Sequence, residues 1–199
     1  MKNVYWRMKR AVGYTLVDTL ATVAVAATVS AIAAPAAVNM VDNSRIGIAT
    51  RDIERELQYA RLKAVATNRP MRVRFNCPSA GKFRAVELIG TTQLPDATKD
   101  ADSYTDRCSE TLFPYSPTGA DMSRLTRPNN DGPIRTLPLG ATFTATKTLE
   151  FWPNGTVHAD TGAVNPWPIV GTSVTITVTR KSKNKNIVVN GFGKIQQDR

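Results

Sequence analysis

Between Asp18 and Asp42 the chain carries 23 consecutive uncharged residues dominated by Ala, Val, Leu and Ile, running from Leu20 through Ile32 to Val38 and Met40. Wound as a helix at about 1.5 Å per residue, this run reaches roughly 35 Å, enough to cross a hydrocarbon core of about 30 Å. The pattern then becomes amphipathic. Ile46, Ile53, Leu57, Ala60 and Ala64 recur at helical spacing, while Arg51, Asp52, Glu54, Arg55, Glu56, Arg61 and Lys63 fill the positions between them. Neighbours of mixed sign, such as Arg51, Glu54 and Arg55, mark the polar face as solvated. Asn68-Arg69-Pro70 stops the helix.

From Met71 the period changes to two. Met71, Val73 and Phe75 alternate with Arg72 and Arg74, which predicts a strand with one buried face. Residues 82–89, 148–152, 156–158, 173–179 and 187–190 are further short strands, rich in β-branched or aromatic residues and separated by turns. Asn154-Gly155 and Asn190-Gly191 are turn signals, and residues 181–186 read as a polar hairpin loop. Residues 91–138 hold many Pro, Gly, Asp and Ser with little periodicity and predict a long loop region. One long helix followed by short strands is an α+β order. It implies a long N-terminal helix, membrane half first and amphipathic half second, packed on a mostly antiparallel sheet.

Charge orients this arrangement. The 199 residues carry 26 Lys and Arg against 16 Asp and Glu, a net charge of +10. Lys2, Arg7, Lys9 and Arg10 lie in the first thirteen residues with no acid, so the remainder holds 22 basic and 16 acidic residues, +6. A basic leader stays cytoplasmic and sends everything after Asp42 outward. A secretory signal peptide would instead be cut after its apolar region, and Ala33, Ala34, Ala36 and Ala37 could imitate such a site. The length of the run and the early acid favour an anchor. Asp18 sits a few residues inside the apolar span that begins at Tyr14, at a cost of about 2.5 to 3.5 kcal/mol on insertion scales, and such a carboxylate calls for a cation. A cut after Gly13 would make Tyr14 the first residue, and its new α-amino group the natural partner. The chain thus divides into a leader, 1–13, a transmembrane helix, 14–41, and an exported part, 42–199.

Gly13-Tyr14-Thr15-Leu16-Val17-Asp18-Thr19-Leu20 resembles the processing motif of type IV prepilins and type II secretion pseudopilins, usually Gly-Phe-Thr-Leu-Ile-Glu-Leu-Leu. The resemblance implies a prepilin peptidase that cuts between Gly13 and Tyr14, N-methylation of Tyr14, and an assembly salt bridge from Asp18. Pro35 falls where the family commonly has a helix-kinking proline. Tyr14 and Asp18 depart conservatively from the family's Phe and Glu. Further along, Leu57 to Pro70 is similar to the "AR-x-x-A-I-x-x-N-x-x-V" stretch of GspH/FimT-type pseudopilins. Leu149 to Gly155 is similar to their "I-x-F-x-P-x-G" hairpin. The family implies a minor subunit anchored once in the bacterial inner membrane, with its head in the periplasm. It then takes part in a type IV pilus or a type II secretion pseudopilus. The implied partners are the peptidase, other pilins or pseudopilins and an inner-membrane assembly platform.

Catalytic chemistry finds no apparatus in the sequence. His158 is the only histidine, and no GxSxG, P-loop or GxGxxG is present; Gly191-Phe192-Gly193-Lys194 is too short to count. No metal site or cofactor is expected. Cys77 and Cys108 lack a CxxC pattern; export favours a disulfide between them, with two free thiols as the alternative. Arg180, Lys181, Lys183 and Lys185 form a basic cluster. Some FimT-like minor pilins bind DNA in natural transformation, so these four are candidate DNA contacts; a solvated hairpin tip is the plainer reading.

Overall fold

The computed structural model describes residues 14–90, 99–101, 104–115, 130–145, 147–160 and 166–198. The leader, with Gly13, and residues 91–98, 102–103 and 116–129 of the expected loop region lie outside them. A single long helix, α1 (Leu16–Thr67), is followed by β1 (Met71–Phe75) and β2 (Lys82–Glu87). After a short 3₁₀ turn (Thr105–Cys108) come β3 (Arg135–Thr136), β4 (Ala141–Ala145), β5 (Leu149–Phe151) and β6 (Val157–Ala159). β7 (Val174–Arg180), β8 (Lys183–Val189) and β9 (Ile195–Gln197) complete the chain. Two compact units result, one ending at Val41 and the other beginning at Asp42. The α+β expectation holds.

In the first unit α1 carries Pro35 within continuous helix and exposes its apolar side chains, among them Leu20, Val29, Ile32 and Met40. Proline has no N–H, so the Ala31 carbonyl one turn earlier goes without its intrahelical donor. α1 is long and apolar enough to cross a membrane.

In the second unit Ile46, Ala49, Ile53, Leu57, Ala60 and Ala64 form one buried stripe of α1. Every strand pairing is antiparallel, in a five-stranded sheet β3-β2-β1-β5-β6 and a four-stranded sheet β4-β7-β8-β9. The helical stripe shares one core with Met71, Val73, Phe83, Leu149 and Phe151 of the first sheet and Ile176, Val178, Ile187 and Val189 of the second. Phe143 of β4 packs edge-on against Phe75 and Phe83, with ring centroids at 5.0 and 5.6 Å, and so joins the two sheets. α1 closes with Asn68 in the left-handed region at φ +53°. Arg69 N–H donates to the Ala64 carbonyl and Asn68 N–H to Val65, a Schellman ending just before Pro70.

Two expectations need correction. β1 buries both faces rather than one: Arg72 is 1% exposed, Arg74 6% and Arg84 of β2 0%. Trp167 and Glu150 cover Arg72, while chain from the expected loop region covers Arg74 and Arg84, which hydrogen-bond its backbone. Arg84 donates to the carbonyls of Gly132 (2.6 Å), Arg107 (2.9 Å) and Phe113 (2.6 Å), and Arg74 donates to that of Tyr104 (2.5 Å). Region 91–138 also contributes the 3₁₀ turn and the short strand β3. The second correction concerns residues 181–186. Only Lys181 and Ser182 turn; Lys183 to Asn186 belong to β8 and pair with Thr177 to Arg180 in unbroken register. The β8–β9 connection does turn at Asn190, whose side chain accepts from Phe192 and Lys194 N–H. A Cβ on Gly191 would stand 2.2 Å from the Val170 carbonyl oxygen, so that backbone approach requires glycine.

Candidate functional site

At the start of α1, Asp18 and Thr15 satisfy each other's groups. Asp18 Oδ2 accepts from Thr15 N–H (3.1 Å) and Thr15 Oγ1–H (2.7 Å), while Thr15 Oγ1 accepts from Asp18 N–H (3.3 Å). This is a capping box, Thr-x-x-Asp, with the acid on the positive end of the helix dipole. The Thr-x-x-Asp spacing is itself an N-terminus signature within the stretch that resembles the processing motif. Oδ1 of Asp18 has no partner among the described residues, so the carboxylate keeps one oxygen for a further donor. Tyr14 is exposed.

At the other end of the apolar run the basic cluster meets the helix. Asp42 is buried, and its Oδ1 accepts from Arg180 Nε (3.1 Å) and Nη2 (2.9 Å), its Oδ2 from Lys181 Nζ (2.5 Å). Lys183 Nζ donates to Asn43 Oδ1 at 2.7 Å. Lys185 Nζ lies 3.7 Å from where a Cβ on Gly47 would stand. Hydrogen bonds from Lys181, then from Arg180, hold the Asp42 carboxyl below its usual pKa. Gly140, at φ +79°, admits the Arg180 guanidinium, since a Cβ there would stand 2.8 Å from Nη1. Lys181 occupies the first turn position at φ +52°, where a hairpin usually places Gly or Asn. The β7–β8 tip therefore clasps the first turn of α1 in the second unit, and the four candidate DNA contacts are spread along that clasp.

Cys77 and Cys108 are joined by a disulfide, with Cα atoms 5.1 Å apart, which staples the 3₁₀ turn to the end of β1. Arg107 beside it donates to the Glu87 carbonyl (2.6 Å) and forms ion pairs with Asp131 (2.7 Å) and Asp100 (3.3 Å), all buried. His158 spends both ring nitrogens structurally, Nδ1 at 2.6 Å from the Trp167 carbonyl and Nε2 at 3.0 Å from Thr156 Oγ1, with its ring stacked on Trp152. Beneath Trp167 the Arg72 guanidinium, 4.1 Å from a ring centroid, is ion-paired with Glu150. Glu56 is less well served. Arg135 reaches its Oε2 at 3.2 Å, while Oε1 is buried without a hydrogen bond, and burial raises its pKa against the pull of Arg135. No group of His, Cys, Asp and Glu among the described residues could hold a metal ion. A groove of about 780 Å³ runs between α1 and the start of β9, lined by Leu62, Val65 and Ile195 with Arg61 and Lys194.

Known proteins bear on these features in three ways. Two crystal structures of the type IV minor pilin FimU from Pseudomonas aeruginosa, in different space groups, are similar in fold. One is 15% identical with a TM-score of 0.46, covering 80% of this chain and 92% of that one; the other is 16% identical with a TM-score of 0.42, covering 77% and 92%. No curated protein sequence matches. Residues 49–193 match the family model for type II transport protein GspH. That match spans most of the chain, which therefore belongs to the GspH family of pilin-like structural subunits rather than to the enzymes.

Proposed function

We propose that this chain is made as a membrane-anchored precursor, cut between Gly13 and Tyr14 by a prepilin peptidase and N-methylated on Tyr14. It then enters a type IV pilus or type II secretion pseudopilus as a minor subunit. The observation that carries this reading is an α1 whose first half is apolar and exposed, with Asp18 near its start holding one carboxylate oxygen open. Packed among like helices in low dielectric, an unpaired carboxylate would cost several kcal/mol, about 3 to 5 by comparison with broken buried pairs. The α-amino group released at Tyr14 offsets that cost. Pro35 supplies a local bend as the rods pack. The inner-membrane platform and neighbouring pilins receive the processed subunit, and the head remains periplasmic until then.

Mass spectrometry of the mature protein is the test. The expected N-terminus is a methylated Tyr14. A natural product that still begins at Met1, or one that begins beyond the apolar run, overturns the scheme.

A further inference from the structure

The apolar run ends at Val41, and the next residue is the one gripped by the β7–β8 tip. A bilayer is about 30 Å thick in its hydrocarbon and about 40 to 45 Å with headgroups, so each polar layer is on the order of 5 to 7 Å deep. At about 1.5 Å per residue, the helical stretch 42–46 rises through a comparable depth. Lys181 is bonded to Asp42, Lys183 to Asn43, and Lys185 stands over Gly47, so all three ammonium groups gather within this first exported turn and a half. Arg45 is exposed on the same stretch. Within residues 42–51 and 180–186 Asp42 is the only acid, against Arg45, Arg51, Arg180, Lys181, Lys183 and Lys185. Its single charge is shared by Arg180 and Lys181, and Glu54 and Asp198 line the groove beside Lys185 and Arg51, so the patch remains positive on balance.

We infer that the β7–β8 tip, with Arg45 of α1, is a docking surface for the anionic phospholipid headgroups of the leaflet in which the membrane helix ends. The occupant follows from charge complementarity and from continuity with the apolar run: phosphodiesters are the anions present at that depth. The clasp on Asp42 gives this surface its rigidity, since the turn that carries Lys181 is tied to the helix it must accompany. Extraction into a filament would require these contacts to break. The inference rests on the membrane-spanning reading of α1.

The test uses the full chain in nanodiscs, with a dye on Ser182→Cys at the turn and a quencher on a trace of lipid headgroups. Discs of phosphatidylcholine alone are compared with discs containing phosphatidylglycerol. The expected result is markedly stronger quenching with phosphatidylglycerol, lost at about 0.5 M salt as screening shortens the field. Arg45→Gln and Lys185→Gln leave the Asp42 clasp intact, and each should lower occupancy of the headgroup contact about fivefold. Equal quenching in the two lipids, or no response to these variants, overturns the inference while leaving the span in place. A chain that floats with neither disc and is extracted by alkaline carbonate overturns the spanning reading, and this inference with it. Quenching reversed by a short DNA duplex as readily as by salt would assign the cations to nucleic acid instead, against the inference.

Discussion

Arg180 lies 138 residues from Asp42 in sequence, yet two of its N–H groups converge on a single Asp42 oxygen, Oδ1. That geometry ties the β7–β8 hairpin to the start of the second unit's stretch of α1. Replacing Asp42 by Asn should therefore leave the core intact while freeing the β7–β8 tip. Hydrogen exchange at residues 180–184 should accelerate, and the thermal midpoint at neutral pH should fall. Because the folded carboxyl is held below its ordinary pKa of about 3.9, its contribution is complete above that value and is lost as pH falls through the depressed one. The difference between the parent and Asp42→Asn should accordingly close in acid, and thermal scans from neutral pH downward would show it. Gly140→Ala should mimic the loosening by pushing Arg180 aside.

Glu56 predicts the opposite slope. Its pKa is raised by burial, so the fold favours the protonated acid. The associated stability is fully present below the ordinary glutamate value of about 4.3 and is lost as pH rises through the raised one. Glu56→Gln removes the charge while keeping the shape, and Arg135, half-exposed, gives up little in return. The variant should have the higher midpoint at neutral pH, with the advantage disappearing under acid conditions.

The Cys77–Cys108 bridge closes a separation of 31 residues, worth about 3 to 4 kcal/mol in the chain-entropy model. Replacing both cysteines by Ala should lower the unfolding free energy by about that amount in urea titrations. Protease sensitivity should rise first at residues 104–115, which the bridge pins over the sheet.

Arg84 is the test of how the second sheet face is covered. It is fully buried and supplies hydrogen bonds to carbonyls at Gly132, Arg107 and Phe113. Arg84→Met would strand these acceptors, at about 1 to 3 kcal/mol for each that finds no water, so a loss of at least about 3 kcal/mol is expected in urea unfolding. Arg84→Lys should not restore it, since one ammonium cannot span the directions of a planar guanidinium.

These arginines also mark the boundary of what was legible in the sequence. Met71, Val73 and Phe75 announced the core face of β1 by alternation alone, and the uncharged run before Asp42 announced the apolar, exposed first stretch of α1. Both are one-dimensional patterns. Arg72, Arg74 and Arg84 occupy the positions that alternation assigns to water, and their burial depends on backbone arriving from 23 to 48 residues further on for Arg84. No local period encodes that. Lys and Asn dominate residues 183–186, a composition that predicts loop; pairing with β7 makes them strand, and Lys183 reaches Asn43 from it. The capping role of Asp18 was local and visible, but the same residue also fitted a longer-range reading.

That double fit makes Asp18 the most informative position for assembly. Thr15 uses only Oδ2, so capping of α1 leaves Oδ1 for the proposed pairing with a terminal amine. Asp18→Asn keeps an acceptor for Thr15 and removes the charge, whereas Thr15→Val removes the cap's hydroxyl and keeps the charge. If assembly depends on charge neutralisation in low dielectric, Asp18→Asn should accumulate as processed subunit in the membrane and be absent from sheared filaments. Thr15→Val should assemble, with at most the loss of about 1 kcal/mol expected of a missing helix cap. Filament incorporation measured by immunoblot for both variants separates the two roles. Normal incorporation of Asp18→Asn would remove the electrostatic account, and failure of Thr15→Val alone would make the cap the essential element.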